Sequence, residues 1–467
     1  MTSSLRQLFG TDGIRGIAGE FPLDMESTYL IGRALGHDLT KGREGNTPAS
    51  VVIGQDTRQS SAWIADRVSA GLASAGIEVH SAGVITTPGI AYLARSRKHA
   101  AGIVISASHN PWTDNGIKVF SGDGYKLPDS HELAIEQEIF ALLKAGRPQP
   151  AEKHSASSLP GEAALRSAYI DSLAGGVHTD LSGLNVLVDC ANGAATAEAP
   201  ELFRKCGVQA TYLSSEPDGK NINHHCGALH PEALAGEIKK NPGQYDLGVT
   251  FDGDADRALF SDGEGRVVNG DGILLLAARD MESRRALPGS QIVATTMSNM
   301  GLEVALRESG ICMLRANVGD KYVLEQMISS GAILGGEQSG HIIFRDGEAT
   351  TGDGLLTALR VMEIVAREKR SLADMLADLK VFPQTIINIR VREKVPFAEV
   401  AEIHRAIDSA ERELSGNGRV VVRYSGTEAL ARVMVEAASE DQMRRLAHNI
   451  ADTIRRALGR DETVPAL

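Results

Sequence analysis

The sequence predicts an α/β protein: three related α/β domains with mixed sheets, followed by a smaller α+β domain. A strand–helix–strand pattern occurs three times, beginning at residues 51, 186 and 292. Residues 385–458 break that pattern and read β-α-β-β-α. The length of 467 residues also leaves room for several domains of about 150 residues each.

The first copy opens with the strand Val51-Val52-Ile53 and the polar turn Gln55-Asp56-Thr57. Ile64, Val68 and Leu72 then recur on one helical face. Gly76 is a suitable helix stop, and a second strand begins at Ile77. The second copy runs from Val186-Leu187-Val188 through the turn Cys190-Ala191-Asn192-Gly193, a helix at Leu202-Phe203 and the stop Gly207, to a strand from Val208. The third runs from Ile292-Val293 past Ser298-Asn299 and a helix at Val304 to Leu306, stops at Gly310 and resumes as a strand at Ile311. Strand, helix and strand in alternation are the βαβ signature of a mixed or parallel sheet. The copies lie too far apart for a short-period solenoid.

In the last segment, Ile386, Asn388 and Arg390 alternate with Thr385, Ile387 and Ile389, as on a strand. A helix is expected around Phe397 to Leu414, then strands at Arg419 to Tyr424 and Ala431 to Ala437. The closing helix puts Met443, Leu446, Ile450, Ile454 and Leu458 on one stripe, with Arg444, Arg445, Arg455 and Arg456 mostly outside it. A Pro/Ser-rich linker at Gly146 to Gly161, with weaker joints near Asp262 to Arg266 and Lys380 to Pro383, divides the chain at 1–154, 155–263, 264–381 and 382–467.

Forty-eight Lys and Arg against 60 Asp and Glu leave a net charge of −12. That argues against coating nucleic acid or an anionic membrane, both of which need surplus cations. A small anionic substrate stays open, because a few local cations outweigh a distant acidic surface. Aromatics at 4% are poor material for stacking along a nucleic acid strand. The 49 glycines exceed the usual share of about 7% and suggest tight loops of the kind that grip anions. Four cysteines without a C-x-x-C pair are no disulfide framework. The N-terminus does not read as a signal peptide, and runs such as Ile273 to Ala278 fall far short of the ~18 residues that span a bilayer. A cytoplasmic protein without membrane or nucleic acid partners is expected.

Four loops carry the chemistry. Ser106-Ala107-Ser108-His109-Asn110-Pro111 follows the apolar strand Gly102 to Ile105. A serine there can act as nucleophile or phosphate carrier. His109 is not expected to serve as its partner, since neighbours on extended backbone point to opposite faces. Lys118, in the nearby Asp114-Asn115-Gly116-Ile117-Lys118, can pair with phosphate or move a proton, or simply lie solvated in a turn. Asp252-Gly253-Asp254-Ala255-Asp256-Arg257 follows Leu247 to Phe251. Three carboxylates so close are costly unless a cation sits among them, and hard oxygen donors suit Mg²⁺. Neither the Gly nor the Glu of an EF-hand is in place. Arg257 beside them suits a phosphate. In Gly335-Gly336-Glu337-Gln338-Ser339-Gly340-His341, the alternating Glu337, Ser339 and His341 can present hydrogen-bonding groups to sugar hydroxyls or an amine. Arg423-Tyr424-Ser425-Gly426-Thr427-Glu428, with Arg432 beyond, combines backbone N–H groups, hydroxyls and guanidiniums into a phosphate cradle.

In this order the loops resemble the α-D-phosphohexomutase family. The likeness spans nearly the whole chain, from Phe9-Gly10-Thr11-Asp12-Gly13-Ile14-Arg15-Gly16 through all four loops. It takes in Asn221-Ile222-Asn223 with Cys226-Gly227, which weakens a zinc reading of His224, His225 and Cys226. Gly336 to His341 and Arg423 to Glu428 are most similar to the branch acting on glucosamine phosphates. Relatives acting on glucose or mannose more often carry Glu or Met where Gln338 stands. Ala429 and Ala431 depart from the family's Pro and bulky aliphatic residue, which bears on the stiffness of that loop.

The resemblance implies four domains around one cleft and an isomerase that interconverts the 6- and 1-phosphates of a hexosamine. It implies one Mg²⁺ per chain, held by Asp252, Asp254, Asp256 and a phosphate on Ser108. That phosphate passes to the sugar, and the resulting 1,6-bisphosphate turns over and returns the other phosphate to Ser108. Activation requires a hexose 1,6-bisphosphate or prior phosphorylation of Ser108. His109 and Lys118 are implied in proton transfer, and Arg257 in stabilising the transferring charge. Arg15, Glu337, Ser339, His341, Arg423, Ser425, Gly426, Thr427 and Arg432 are implied in holding the substrate. A monomer or homodimer fits. The alternatives are a glucose- or mannose-directed mutase of the same family and a metal-dependent sugar phosphatase with an Asp nucleophile.

Overall fold

The first sheet of the computed structural model shows the mixed character that the alternating pattern predicts. The structure describes residues 7–10, 12–41, 49–145, 161–347, 349–424 and 430–459. Six strands, β1 (Phe9–Gly10), β2 (Gly13–Ile17), β3 (Ser50–Gln55), β4 (Glu78–Val84), β5 (Ala101–Ile105) and β6 (Asp114–Ser121), lie in the order β1-β2-β6-β5-β3-β4. β3 runs parallel to β4 and β5, whereas β6 is antiparallel to β5 and β2. The helix Ser61–Ser74 buries Ile64, Val68 and Leu72 as the spacing requires, and Gly76 follows it with φ +83°.

The second sheet holds β7 (Asn185–Asp189), β8 (Gln209–Leu213), β9 (Leu247–Phe251), β10 (Ala258–Asp262) and β11 (Val267–Val268) in the order β11-β10-β9-β7-β8. β7 is parallel to β8 and β9, and β9, β10 and β11 form an antiparallel meander. The Asp262 to Arg266 stretch, expected as a joint, is the turn between β10 and β11. Asp262 accepts from the backbone of Glu264 and Arg266 and pairs with the Arg266 guanidinium. The third sheet orders β12 (Gln291–Thr295), β13 (Cys312–Ala316), β14 (Leu334–Gly336) and β15 (Ile342–Phe344) as β13-β12-β14-β15.

By density of contacts the chain divides into two units, residues 1–297 with 313–376, and residues 298–312 with 377–467. In the second unit β16 (Gln384–Arg390), β17 (Gly418–Tyr424) and β18 (Leu430–Ala437) form an antiparallel sheet of order β16-β18-β17. Helices Ala401–Leu414 and Glu440–Leu458 bury Ile403, Leu414, Met443, Leu446, Ile450 and Ile454 against Val433 and Val435. Ile389 is buried and Ile386 is exposed, the two faces the alternation separates. The stretch Lys380 to Pro383, also expected as a joint, is pinned within this unit. Asn299 Nδ2 donates to the Phe382 carbonyl, and the Phe382 N–H donates to Asn299 Oδ1. The Gly146 to Gly161 linker lies almost wholly outside the described residues.

Within the first unit, Glu198 ties two sheets together. It is fully buried at the start of helix Ala199–Lys205, and its Oε2 accepts from the Thr86 N–H at 3.1 Å. Burial, with a smaller contribution from Asp353, pushes its carboxyl from 4.5 up to about 8, against the opposing bonds from Thr86. The folded chain therefore binds a proton that the unfolded chain releases above about pH 4.5. That stabilisation is complete in acid and is lost as pH rises through about 8, at up to about 1.4 kcal/mol per pH unit. Thermal melts should show Tm falling from pH 5 to pH 8, with a shallower fall in Glu198→Gln. Equal slopes for the two proteins would refute this role.

Candidate active site

Ser108 stands just beyond the carboxyl end of β5, where parallel strands of α/β sheets commonly present ligand groups. A buried polar scaffold fixes it. Arg58 pairs with Asp56 at 2.8 Å, and both side chains are inaccessible. Arg58 Nη2 donates to the Ser108 carbonyl at 2.7 Å and Nη1 to that of Pro111 at 2.6 Å. Ser106 Oγ donates to Asp56 and accepts from the Ser108 N–H. Asn223 Nδ2 donates to the same Ser108 carbonyl at 2.9 Å. These bonds hold Ser108 at φ +52°, a left-handed conformation unusual for a residue with a side chain.

That conformation corrects the expectation for His109. The backbone is not extended here, and His109 Nδ1 lies 3.3 Å from Ser108 Oγ. Burial, then the charges of Arg257 and Arg15, lower the imidazole to about 4, so it is neutral at physiological pH.

The three-Asp loop joins β9 to β10 and meets the serine directly, with the Ser108 hydroxyl donating to Asp252 Oδ2. Asp252, Asp254 and Asp256 are all buried and offer oxygens within 4.8 Å of one another. Oδ1 of Asp254 and Oδ1 of Asp256 are buried without a hydrogen-bond partner. Orphaned carboxylate oxygens beside a third carboxylate fit a hard divalent cation such as Mg²⁺, which completes its shell with water or phosphate.

Lys118 lies in β6, buried, and not in a solvated turn. Its Nζ sits 2.8 Å from Asp254 Oδ2, 3.2 Å from Asp256 Oδ2 and 3.1 Å from Asp12 Oδ2. Against its burial, these three carboxylates hold the ammonium well above its usual range. Asp256 is held well below the carboxylate range, against its own burial, chiefly by Lys118 and His341. Burial and the charges of Asp256 and Asp254 push Asp252 up.

Beside this cluster lies a cavity of about 390 Å³, lined by Asp12, Arg15, His109, Asp256, Arg257, Asp320, Glu337 and His341 among others. The Nε atoms of Arg15 and Arg257 are buried without hydrogen-bond partners, that of Arg257 3.8 Å from Asp256 Oδ1, and both guanidiniums line the cavity, where they suit an anion. Glu337 and His341 belong to the β14–β15 hairpin. Glu337 Oε1 accepts from the Gly319 N–H at 3.0 Å. His341 Nδ1 lies 3.7 Å from Asp256, and Nε2 accepts from the Gly352 N–H. His341 therefore lies against the Asp256 carboxylate, beyond hydrogen-bond distance, as well as lining the cavity. Ser339 is half-buried and is not among the cavity's lining residues. Gln338 Nε2 donates to Asp271 at 3.1 Å.

In the second unit, Arg423 and Arg432 face each other in register on β17 and β18. Like charges at such a position repel unless they are compensated, and Arg432 has further interactions within the chain. Ser425, Gly426 and Thr427 lie outside the described residues.

Four family models match in chain order: phosphoglucomutase/phosphomannomutase domain I over residues 6–145, domain II over 167–265, domain III over 269–382 and the C-terminal domain over 386–453. The chain belongs to the phosphoglucomutase/phosphomannomutase family. Membership makes it an isomerase of the phosphohexomutase class. Relatives named phosphoglucosamine mutase include one from Koribacter versatilis, 57% identical over 98% of this chain and 99% of its own. Another from Solibacter usitatus is 50% identical over 97% and 99%. Among solved structures, a Burkholderia thailandensis phosphoglucomutase/phosphomannomutase family protein aligns with TM-score 0.75 and 25% identity over 97% of this chain and 99% of its own. The Aspergillus fumigatus N-acetylphosphoglucosamine mutase, solved with GlcNAc-6P and magnesium, shares the fold with TM-score 0.61 and 20% identity over 97% and 96% of the two chains.

Several residues of this phosphohexomutase site escape sequence reasoning. Asp12 accepts from Lys118 and from Lys126, and Lys126 also reaches Asp320 at 2.5 Å. Asp12 lies inside the motif around Arg15 and was open to notice there. Asn223 likewise lies inside the Asn221-Ile222-Asn223 segment, whereas Arg58, Lys126 and Asp320 carry no comparable local signal.

Gly253 lets the metal loop and the serine loop touch. A Cβ there would stand 2.5 Å from the Ser108 carbonyl oxygen, a backbone atom that Arg58 and Asn223 already fix. Gly253→Ala should lower kcat on the order of 100-fold by displacing Ser108 from Asp252. Steady-state kinetics checks this, and a loss under threefold in a folded variant would show the approach to be dispensable.

Proposed function

We propose that this phosphohexomutase interconverts glucosamine 6-phosphate and glucosamine 1-phosphate, with Ser108 carrying the phosphoryl group. The observation that carries the reading is the buried Ser108 hydroxyl bonded to Asp252, beside guanidiniums with spare donors. The names of relatives at 57% and 50% identity support glucosamine as the sugar. The proposed division into working parts follows 1–154, 155–263, 264–381 and 382–467.

Phosphorylated Ser108 gives its phosphoryl group to the free hydroxyl of the bound sugar phosphate. The bond from phosphorus to Ser108 Oγ breaks as the bond to the sugar oxygen forms, and the hydroxyl proton passes by way of the neutral His109 to the departing Ser108 oxygen, while Lys118, already an ammonium, supplies charge. The sugar 1,6-bisphosphate turns over, and its other phosphoryl group returns to Ser108 with the proton flow reversed. Asp252, Asp254 and Asp256 would hold one Mg²⁺, which when bound neutralises charge on the phosphoryl oxygens. Arg15 and Arg257 bind the transferring phosphoryl oxygens, which suits a loose transition state that asks mainly for positioning and charge. Glu337, Ser339 and His341 orient the sugar. Arg423, Ser425, Gly426, Thr427 and Arg432 bind the phosphate that is not reacting. No helix among the described residues is long and apolar enough to cross a membrane, which is compatible with the proposed cytoplasmic location.

Two measurements test this reading. The kcat/KM for glucosamine 6-phosphate should exceed those for glucose and mannose 6-phosphates, and a clear preference for a neutral hexose would overturn the substrate. Acid-stable phosphate should map to Ser108 after incubation with a hexose 1,6-bisphosphate, and Ser108→Ala should lose at least about 1,000-fold in kcat. Phosphate found only on Asp252 would point to a phosphatase instead.

A further inference from the structure

We infer that Thr87 is a positioning residue that sets the carboxylate of Asp254 for the metal. Thr87 is 2% exposed and opens the helix Thr87–Ser96, far from the metal loop in sequence. Its N–H donates to the Asp254 carbonyl at 3.0 Å, and its hydroxyl donates to Asp254 Oδ2. Lys118 Nζ also donates to Oδ2, at 2.8 Å. Two donors therefore occupy one oxygen of a carboxylate that is wholly buried, while Oδ1 has no partner. Carboxylates that bind metals are commonly oriented by hydrogen bonds of this kind, and loss of such a partner costs about 10- to 100-fold in metal affinity.

Thr87 does not line the cavity bordered by His109 and Asp256, so its effect passes through Asp254. Lys118 and Thr87 differ in what they contribute. Lys118 is shared with Asp12 and Asp256 and supplies charge. Thr87 is neutral, holds both the backbone and the side chain of Asp254, and has a β-branched side chain with few χ1 choices. Removing its hydroxyl leaves the net charge of the cluster unchanged and frees the carboxylate to rotate. Thr86 before it caps the helix by accepting from the Gly89 N–H, so the start of the helix does not depend on the Thr87 hydroxyl.

The inference rests on the reading of Asp252, Asp254 and Asp256 as a metal site. It is tested by calorimetric titration of Mg²⁺ into the full chain, with Ser108 phosphate content matched by mass spectrometry. Thr87→Val should raise the Mg²⁺ Kd about tenfold, while Thr87→Ser stays within twofold of the parent. A role limited to helix stability would lower Tm without moving that Kd. Should Thr87→Val fail to melt cooperatively, the contrast between Thr87→Ala and Thr87→Ser carries the same test. Parent protein that binds Mg²⁺ with Thr87→Val binding it equally well would overturn the role of Thr87 alone. Parent protein that binds no Mg²⁺ would overturn the metal reading and this inference with it.

Discussion

The ammonium of Lys118, ringed by Asp12, Asp254 and Asp256 within 3.2 Å, is the interaction on which the site depends. Burying a carboxylate without compensation costs several kcal/mol, and Asp252 adds a fourth to the same place. One ammonium cannot balance four carboxylates. The orphaned oxygen of Asp254, and the upward push that burial and the neighbouring carboxylates give Asp252, mark where the cluster still lacks positive charge. A divalent cation among those oxygens, with the guanidiniums at the rim, would complete the balance. The same cations would suit the phosphoryl group that the proposed function places on Ser108.

The sheets matter here because they bring distant residues to one point. β5 and β6 are antiparallel neighbours, which sets Lys118 beside the strand leading to Ser108. β9 delivers the three-Asp loop, and Gly253 allows it to press against the Ser108 backbone. Arg58 and Asn223 hold one carbonyl from two elements. The left-handed turn at Ser108 is thereby over-determined, and it is this turn that brings the His109 imidazole back to the serine. The hydrogen bonds to Ser108 give the fixed placement that the proposed phosphoryl transfer needs.

Much of this was legible in the sequence, for reasons that are local. Ile64, Val68 and Leu72 declare a helix by spacing, and Gly76 and Gly207 end helices with φ of +83° and +79°. Ser108 and the three aspartates announce themselves by chemical type and crowding. What was not legible depends on partners far away in the chain. Thr87 reads as a helix start, and only the fold reveals that it faces Asp254. Nothing beside Lys126 in the sequence announces that it joins Asp12 to Asp320. His109 was misread because alternation holds only on extended backbone, and φ at Ser108 is set by Arg58, Asp56 and Asn223. Asp262 to Arg266 is the turn between β10 and β11, and the domain II match also ends there, at residue 265.

The most direct measurement is anomalous diffraction from crystals of the full chain grown with Mn²⁺ in place of Mg²⁺. The charge balance described above predicts one manganese peak per chain, bounded by carboxylate oxygens of Asp252, Asp254 and Asp256, with Lys118 still paired to the opposite oxygens. Manganese bound elsewhere, with no peak among these three carboxylates, would contradict it.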